Sequence, residues 1–401
     1  MRGRRKTPWT PARCMAHAIS LARRGRYTTD PNPRVGCVLE KAGRIIGEGW
    51  HYRAGEPHAE IHALQAAGGK AHGATAYVTL EPCSHHGRTP PCAEALIQAG
   101  VSRVVVGMQD PNPLVAGNGI KRLREAGVDV EVGLLEADAE ALNLGFIRRM
   151  SEGRPRVCAK LAASLDGRTA MWSGESQWIT GASARADVQR LRAASSAIVT
   201  GVETVIHDDC ALTVRADQLT LPDADEIAQR QPLRVIVDSG LRTPIGARIL
   251  KQPGTTLIVA SQDHAHLDMA ARQQALEEAG AEVIVLPAQA QGRVELKGLF
   301  EYLAQQRDCN EVLVEAGATL VGACLQAGLL DDIYLYLAPV LLGQSARALF
   351  NLPGLERMAD KVHLKIHDIR AVGEDWRIQA SPVSVAPDMT IEDKGYGTEH
   401  N

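Results

Sequence analysis

Aromatic side chains are scarce in this chain: three Phe, five Trp and seven Tyr make up 4% of 401 residues. Proteins that track nucleic-acid strands stack bases on aromatic side chains inside a basic channel. Few such platforms exist here, and 44 Lys and Arg against 47 Asp and Glu leave a net charge of −3, so bulk attraction to phosphate is excluded as a driving force. Long apolar runs are missing too. No stretch approaches the ~18 residues of a membrane span, and the N-terminus has no apolar signal core. Paired cysteines are also lacking. Eight occur, at 14, 37, 83, 92, 158, 210, 309 and 324, and only Cys83 and Cys92 share a motif. That pattern predicts reduced thiols in a cytoplasmic protein rather than a disulfide framework. What remains is a globular composition, 45% hydrophobic and 23% charged, on a chain too long for one ordinary core.

The order of elements predicts two α/β domains. Pro11 to Arg24 carries apolar residues at helical spacing and ends near Gly25. Strands are expected over Val35–Leu39 and Arg44–Gly49, joined by a hairpin turn at Lys41–Gly43. Further strands fit Ala76–Leu80, Val101–Gly107 and Val128–Val132, with helices over His58–Ala67, Ala93–Ala99 and Lys121–Ala126. This alternation predicts a largely parallel sheet covered on both faces. The polar, breaker-rich segment 151–155 marks the boundary, dividing a first domain over 8–150 from a second over 156–380. Strands of the second half are expected at Arg156–Lys160, Ala197–Thr200, Leu233–Val237, Thr256–Ala260, Glu282–Leu286 and Glu311–Val314, and Ile333–Leu337 alternates like an edge or antiparallel strand. Basic residues at 2, 4, 5 and 6 predict a solvated terminus, and residues 381–401 a polar, disordered tail.

The chemistry is concentrated between His58 and Cys92. Pro57-His58-Ala59-Glu60 is followed by Glu81-Pro82-Cys83-Ser84-His85-His86-Gly87-Arg88-Thr89-Pro90-Pro91-Cys92. One His and two Cys at helix starts are zinc ligands in kind, and three protein ligands leave a tetrahedral position open. Zinc brings the pKa of water toward ~7, and Glu60, two residues from His58, is placed to carry the proton. Nucleobase deaminases space their cysteines as Pro-Cys-x-x-Cys, whereas eight residues separate Cys83 from Cys92 here. A closed structural knot with His85 or His86 as fourth ligand is the competing reading. Glu60, which a knot does not require, favours catalysis. Within the inserted loop His85 is a candidate for a heterocycle edge and Arg88 for a phosphate.

The second half has no Gly-x-Gly-x-x-Gly after its first strand, so the standard dinucleotide fingerprint is excluded. Four stretches stand out instead: Lys160-Leu161-Ala162-Ala163-Ser164-Leu165-Asp166-Gly167-Arg168, Gly174-Glu175-Ser176-Gln177-Trp178-Ile179-Thr180, Glu203-Thr204-Val205-Ile206-His207-Asp208-Asp209 and Glu315-Ala316-Gly317-Ala318-Thr319-Leu320-Val321-Gly322. The last follows a strand and opens a helix, a place where free N–H groups hold a pyrophosphate, or where the chain simply turns.

Taken with His-Ala-Glu and the eight-residue cysteine spacing, these motifs resemble the bifunctional riboflavin-biosynthesis deaminase/reductase family over about residues 10–380. The resemblance implies a cytidine-deaminase-like α/β/α domain followed by a dihydrofolate-reductase-like α/β domain. It implies one Zn²⁺ on His58, Cys83 and Cys92, with Glu60 as proton shuttle. It makes Asn32 (Pro-Asn-Pro-x-Val-Gly), His51 (Gly-Trp-His-x-x-x-Gly), His85, Arg88, Asp110 and Asn112 contacts of a phosphorylated pyrimidine. Many relatives carry Lys at position 88, and Asn32 and Asn112 also suit Pro-rich turns. In the second half it implies NADPH across Ala162, Trp178, Thr204, Asp208 and Gly317, Ala318, Thr319, Leu320, Val321, Gly322 and Ala323. The phosphorylated sugar would meet Ser176, Arg192, Leu212, Arg215 and Glu315. Arg192 and Arg215 suit phosphate by charge, though each also reads as a solvated surface residue. Lys160, Asp166 and Ser239 are further candidates, Asp166 also as a turn former before Gly167. A homodimer through the second half is implied as well, with no nucleic-acid or membrane partner. Two other readings are a nucleic-acid base deaminase with an unrelated C-terminal domain, and a zinc-containing binding protein without activity.

Overall fold

The computed structural model describes residues 8–84, 91–113, 115–263 and 268–383. The basic residues before Thr7, the loop residues His85 and Arg88, and the tail beyond Val383 lie outside the described residues.

The first half builds a five-stranded sheet. Thr10 caps α1 (Pro11–Ala22), whose Pro11 supplies a φ already suited to a first helical turn. Then follow β1 (Gly36–Lys41), β2 (Arg44–Trp50), α2 (Ala59–Ala67), β3 (Thr75–Leu80), α3 (Cys92–Gln98), β4 (Arg103–Met108), α4 (Asn118–Glu125), β5 (Asp129–Val132), α5 (Glu136–Glu140) and α6 (Leu144–Glu152). The sheet order is β2-β1-β3-β4-β5. It is mixed rather than largely parallel: β1 runs antiparallel to both neighbours, and only β3, β4 and β5 run together. The hairpin at Ala42–Gly43, both at positive φ, reverses the chain between β1 and β2. Alanines of α2 and α3 with Leu123 of α4 cover one face, and α1 covers the other. Gly47 and Gly49 let α2 lie directly on β2, since a Cβ at either would sit 2.2 Å from the Ala63 carbonyl oxygen or 2.5 Å from the His62 side chain. That close approach sets the height of His58 and Glu60 above the sheet.

The second half opens with β6 (Arg156–Ser164) and β7 (Arg168–Ala170), then α7 (Ala182–Ala193), β8 (Ala197–Gly201), α8 (Val202–Asp208), α9 (Ala216–Leu219), α10 (Ala224–Gln229) and β9 (Leu233–Val237). It continues with β10 (Thr256–Ser261), α11 (Met269–Glu278), β11 (Glu282–Leu286), the short pair β12 (Ala288–Gln289) and β13 (Arg293–Val294), α12 (Leu296–Gln305) and β14 (Glu311–Val314). Last come α13 (Ala318–Gln326), β15 (Asp332–Ala338), β16 (Arg347–Ala348), β17 (Leu364–Val372) and β18 (Asp375–Pro382). Nine strands order as β11-β10-β9-β8-β14-β6-β15-β18-β17. Strands from β11 to β15 are parallel, and β18 and β17 add an antiparallel hairpin at the end. The expected edge strand Ile333–Leu337 is therefore interior, antiparallel on one side only; β17 takes the edge. One face packs on α12 and α13, the other on α7, α8 and α11.

The expected boundary at 151–155 falls partly in helix, because α6 runs to Glu152 and Gly153 closes it at φ 69°. Arg154 then pairs with Asp331 at 2.9 Å, so the connection is fastened. Ser381 and Pro382, expected in the tail, are instead the end of β18. All eight cysteines are free. Among the described residues no helix is long and apolar enough to cross a membrane.

Candidate functional sites

Three chain segments bring the zinc-ligand candidates together. His58 is the residue before α2, Cys83 follows β3 and Cys92 opens α3. Their ligand atoms lie within 4.8 Å of one another. His58 Nδ1 is 3.2 Å from Cys92 Sγ and 3.6 Å from Cys83 Sγ. The Cys92 amide donates to Cys83 Sγ at 3.3 Å, and hydrogen bonds from Cys92 and then His58 hold the Cys83 thiol down at about 4. One imidazole and two thiols, one of them readily ionised, suit Zn²⁺ with a position to spare.

Glu60 is the second residue of α2 and is buried beside this cluster. Burial, with the Cys83 thiolate near it, pushes its carboxyl up to about 7. Its Oε2 has no protein hydrogen-bond partner. An unpaired buried oxygen costs about 1–3 kcal/mol, which fits a group kept for what the site binds.

Asn32 and His51 meet on one wall, Asn32 Nδ2 3.1 Å from His51 Nε2. His51 Nδ1 is 3.2 Å from the Pro57 carbonyl oxygen, and burial draws the imidazole down to about 4. It is therefore neutral, donating from Nδ1 to Pro57 and accepting at Nε2 from Asn32. The rings of His51 and His58 stand edge to face at 5.3 Å. Asp110 Oδ1 accepts from the Asn112 amide at 2.9 Å, so the turn role weighed for this stretch is present. Sequence reasoning assigned no role to Glu81. Its buried carboxylate accepts from the amides of Asp110, Gly117, Gly119 and Ile120, at 2.8–3.2 Å. It fastens the Asp110–Asn112 loop and the start of α4 to the segment carrying Cys83. Its position in Glu-Pro-Cys was the available signal.

In the second half Lys160, Arg192 and Glu315 converge on one face near the C-terminal end of β14. Arg192 grips Glu315 with both arms, Nε to Oε1 at 2.6 Å and Nη2 to Oε2 at 2.9 Å, and donates to the Thr213 carbonyl at 3.2 Å. Burial opposes the charge on Glu315, yet Arg192, Lys160 and Arg215 hold it below the usual carboxylate range. Burial lowers Lys160, with Glu315 opposing. Arg215 is half-buried beside Arg192, and its amide donates to Gln189 Oε1 at 3.1 Å. Leu212 is buried at φ 49° next to these groups. Thr204 lies within α8 and Asp208 ends it; burial raises Asp208. Ala162 is on β6 and Ser176 lies in the loop before α7. Trp178 is 70% exposed, with the Arg185 guanidinium 4.6 Å from its ring.

The predicted turn at Gly317 does open a helix. Ala318, Thr319 and Leu320 form its first turn, where amides lack intrahelical partners. Val321 instead points into the core, and Gly322 serves packing, since a Cβ there would meet the Asn351 carbonyl oxygen at 2.1 Å. Ala323 packs partly buried against that core. Asp166 accepts from Ser164 Oγ at 2.5 Å and from the Gly343 amide at 2.8 Å, and Ser239 Oγ accepts from the Val294 amide at 3.2 Å. Both side chains thus tie distant parts of the chain together.

Comparison with known proteins places each half. A family model described as the cytidine and deoxycytidylate deaminase zinc-binding region matches residues 10–108, and the RibD C-terminal domain matches residues 155–378. The chain is thus a bifunctional enzyme, a zinc-binding deaminase joined to a reductase that uses an NADPH-type cofactor. It belongs to the riboflavin biosynthesis protein RibD family. The Escherichia coli (strain K12) protein is 54% identical over 369 residues, 90% of this chain and 96% of its own. The Haemophilus influenzae protein is 46% identical over 374 residues, 92% of this chain and 97% of its own. The structure of Acinetobacter baumannii RibD matches at a TM-score of 0.84 and 49% identity, covering 93% of this chain and 99% of that one. A Thermotoga maritima diaminohydroxyphosphoribosylaminopyrimidine deaminase/5-amino-6-(5-phosphoribosylamino)uracil reductase matches at 0.78 and 31%, with the same coverage. The riboflavin-pathway reading is upheld, and neither the nucleic-acid deaminase nor the inactive binding protein is favoured.

Proposed function

We propose that residues 8–150 deaminate 2,5-diamino-6-ribosylamino-4(3H)-pyrimidinone 5′-phosphate at its C2 amino group. Residues 156–380 then reduce the ribosyl group of 5-amino-6-(5-phosphoribosylamino)uracil to ribityl. The observation that carries the first step is the buried, unpartnered Glu60 Oε2 beside the His58/Cys83/Cys92 cluster. One Zn²⁺ per chain would be held by those three residues and, when bound, would supply the Lewis acidity that makes water nucleophilic at neutral pH. Glu60, near 7, takes the proton from that water and gives it to the departing ammonia. Asn32 spends one of its two side-chain N–H groups on His51, so the other and its carbonyl oxygen remain for the pyrimidine edge. His85 and Arg88 complete this reading as ring and phosphate contacts, with Asp110 and Asn112 closing the pocket.

For the second step, NADPH would supply a hydride for C1′ of the ribose, while the ring oxygen released as the sugar opens takes a proton from water. Ala162, Trp178, Thr204, Asp208 and the turn from Gly317 through Ala323 would hold it, the amides of Ala318, Thr319 and Leu320 facing its pyrophosphate. Arg192 and Arg215, with Lys160 behind them, form the positive side of the sugar-phosphate site, joined by Ser176, Leu212 and Glu315. Glu315 keeps Arg192 oriented. The protein's task is to hold nicotinamide and C1′ together. The exposed apolar face of β17 and β18 supports a homodimer through this half. Leu364, Ile366, Ile369 and Trp376 there are 46–55% exposed.

The test is ammonia release and NADPH oxidation on the phosphoribosylaminopyrimidine, with cytidine as control. Glu60→Gln is expected to keep its zinc and lose ammonia release by about 10²–10⁴-fold, with reduction of the deaminated compound unchanged. Deamination that persists while zinc is lost would refute the proton-shuttle role.

A further inference from the structure

Both pocket residues on the deaminase wall sit in irregular chain, and each is next to a tie that crosses to the reductase half. Residues 26–35 and 51–58 contain turns and bends but no strand or α-helix. Thr29 to Asn32 is one tight turn, closed by the Asn32 amide on the Thr29 carbonyl at 2.8 Å. Its side chains diverge. Asn32 turns to His51. Asp30 turns to the other half, where Oδ1 accepts from Ser196 Oγ at 2.8 Å and from Asn310 Nδ2 at 3.3 Å, and Oδ2 lies 3.5 Å from Arg230. Asn310 Nδ2 also donates to the Pro31 carbonyl at 2.7 Å. The second tie follows His51 directly. The Tyr52 hydroxyl donates to the Glu226 carboxylate at 2.7 Å, and Arg53 pairs with the same carboxylate at 2.5 Å. Glu226 lies on α10 and Arg230 is the residue after it. Tyr27 packs into the small apolar cluster of Ala193, Val214, Leu219 and Ile227 on the reductase side.

We propose that Asp30 and Glu226 are positioning residues for deamination, so that α10 and the residues leading into β8 and β14 of the reductase half hold the two loops carrying Asn32 and His51. Fixing a loop residue costs about 1–2 kcal/mol of backbone entropy. Where the ties meet that cost before substrate arrives, it does not fall on binding. His58, Glu60, Cys83 and Cys92 stand at helix starts and strand ends and do not depend on α10. Loss of a tie therefore weakens substrate binding and spares the chemical step. The inference rests on Asn32 and His51 being pyrimidine contacts.

The experiment uses the full-length zinc-loaded protein with the phosphoribosylaminopyrimidine, comparing Asp30→Asn, Glu226→Gln, the double variant and Asn32→Ala. Each tie variant is expected to raise the deaminase KM about three- to tenfold, the loss of one or two charge-assisted hydrogen bonds at partly exposed sites. Its kcat, zinc content and reductase kinetics stay at the parent values. If Asn32→Ala raises KM and both tie variants leave it unchanged, the positioning role is refuted and the pocket reading stands. If Asn32→Ala itself leaves KM unchanged, the pocket reading falls and takes this inference with it. A fall in kcat that follows lost zinc or lost folded protein, at constant KM, marks a merely structural contact and also overturns the proposal. Should Glu226→Gln fail to fold, Tyr52→Phe removes only the hydroxyl; a smaller KM rise upholds the role and an unchanged KM refutes it.

Discussion

A neutral imidazole is built into the deaminase wall. His51 accepts from Asn32 only while Nε2 is unprotonated, and burial holds its pKa at about 4, below the ordinary 6.5. A group whose folded pKa is depressed adds stability that is whole above the unfolded value and lost as pH falls through the folded one. The Asn32–His51 bond should therefore be intact at pH 6 and break as pH drops through about 4. An NMR titration of the His51 ring checks this, and a midpoint near 6.5 contradicts it. Glu81 makes the second prediction at this scale. Glu81→Gln leaves one acceptor oxygen and points N–H2 at amides that the carboxylate had bound. A loss of about 2–4 kcal/mol is expected from the stranded donors, read from urea unfolding midpoints. The cluster of His58, Cys83 and Cys92 was legible because candidate metal ligands have characteristic residue types and spacing. Glu81 was not, since its partners lie 29 to 39 positions further along the chain. Asp30 reads as a turn residue before Pro31, and nothing local announces Ser196, Arg230 and Asn310 as its partners.

At the scale of elements, strands bounded by breakers were readable nearly to the residue: Leu233–Val237, Glu282–Leu286 and Glu311–Val314 form as expected. Strand direction was not. Apolar runs in parallel and antiparallel strands look alike when both faces are covered, so the reversal of β1 against β3 was missed. The β17–β18 hairpin escaped for the opposite reason. Its apolar residues alternate with Lys365, Asp368 and Arg370 at the edge of the sheet, whose other face meets α7 through Arg377 and Asp187. An uncovered apolar strand face is a docking surface or an aggregation hazard. If the protein pairs through that face, as proposed, Ile369→Lys, a charge in its middle, is expected to convert the dimer to monomer with both halves still folded. Sedimentation velocity reads this directly, and an unshifted dimer would place the interface elsewhere.

For the molecule as a whole, the Asp30 ties between the two halves reach one end of β14 and the candidate reductase residue Glu315 stands at the other. Asp30 contacts Ser196 and Asn310, just before β8 and β14, whereas Glu315 follows the far end of β14. Five residue-to-residue steps of extended chain separate Asn310 from Glu315, about 17 Å at ~3.3 Å each. That separation predicts that the deaminated compound leaves as a free solute, to be captured by a reductase that need not be on the chain that made it. Complementation follows. A Glu60→Gln chain mixed with an Arg192→Ala chain, each unable to finish alone, should together carry the diamino compound through to the ribityl product. The yield should depend on the concentration of released intermediate and not on whether the two defects share a polypeptide.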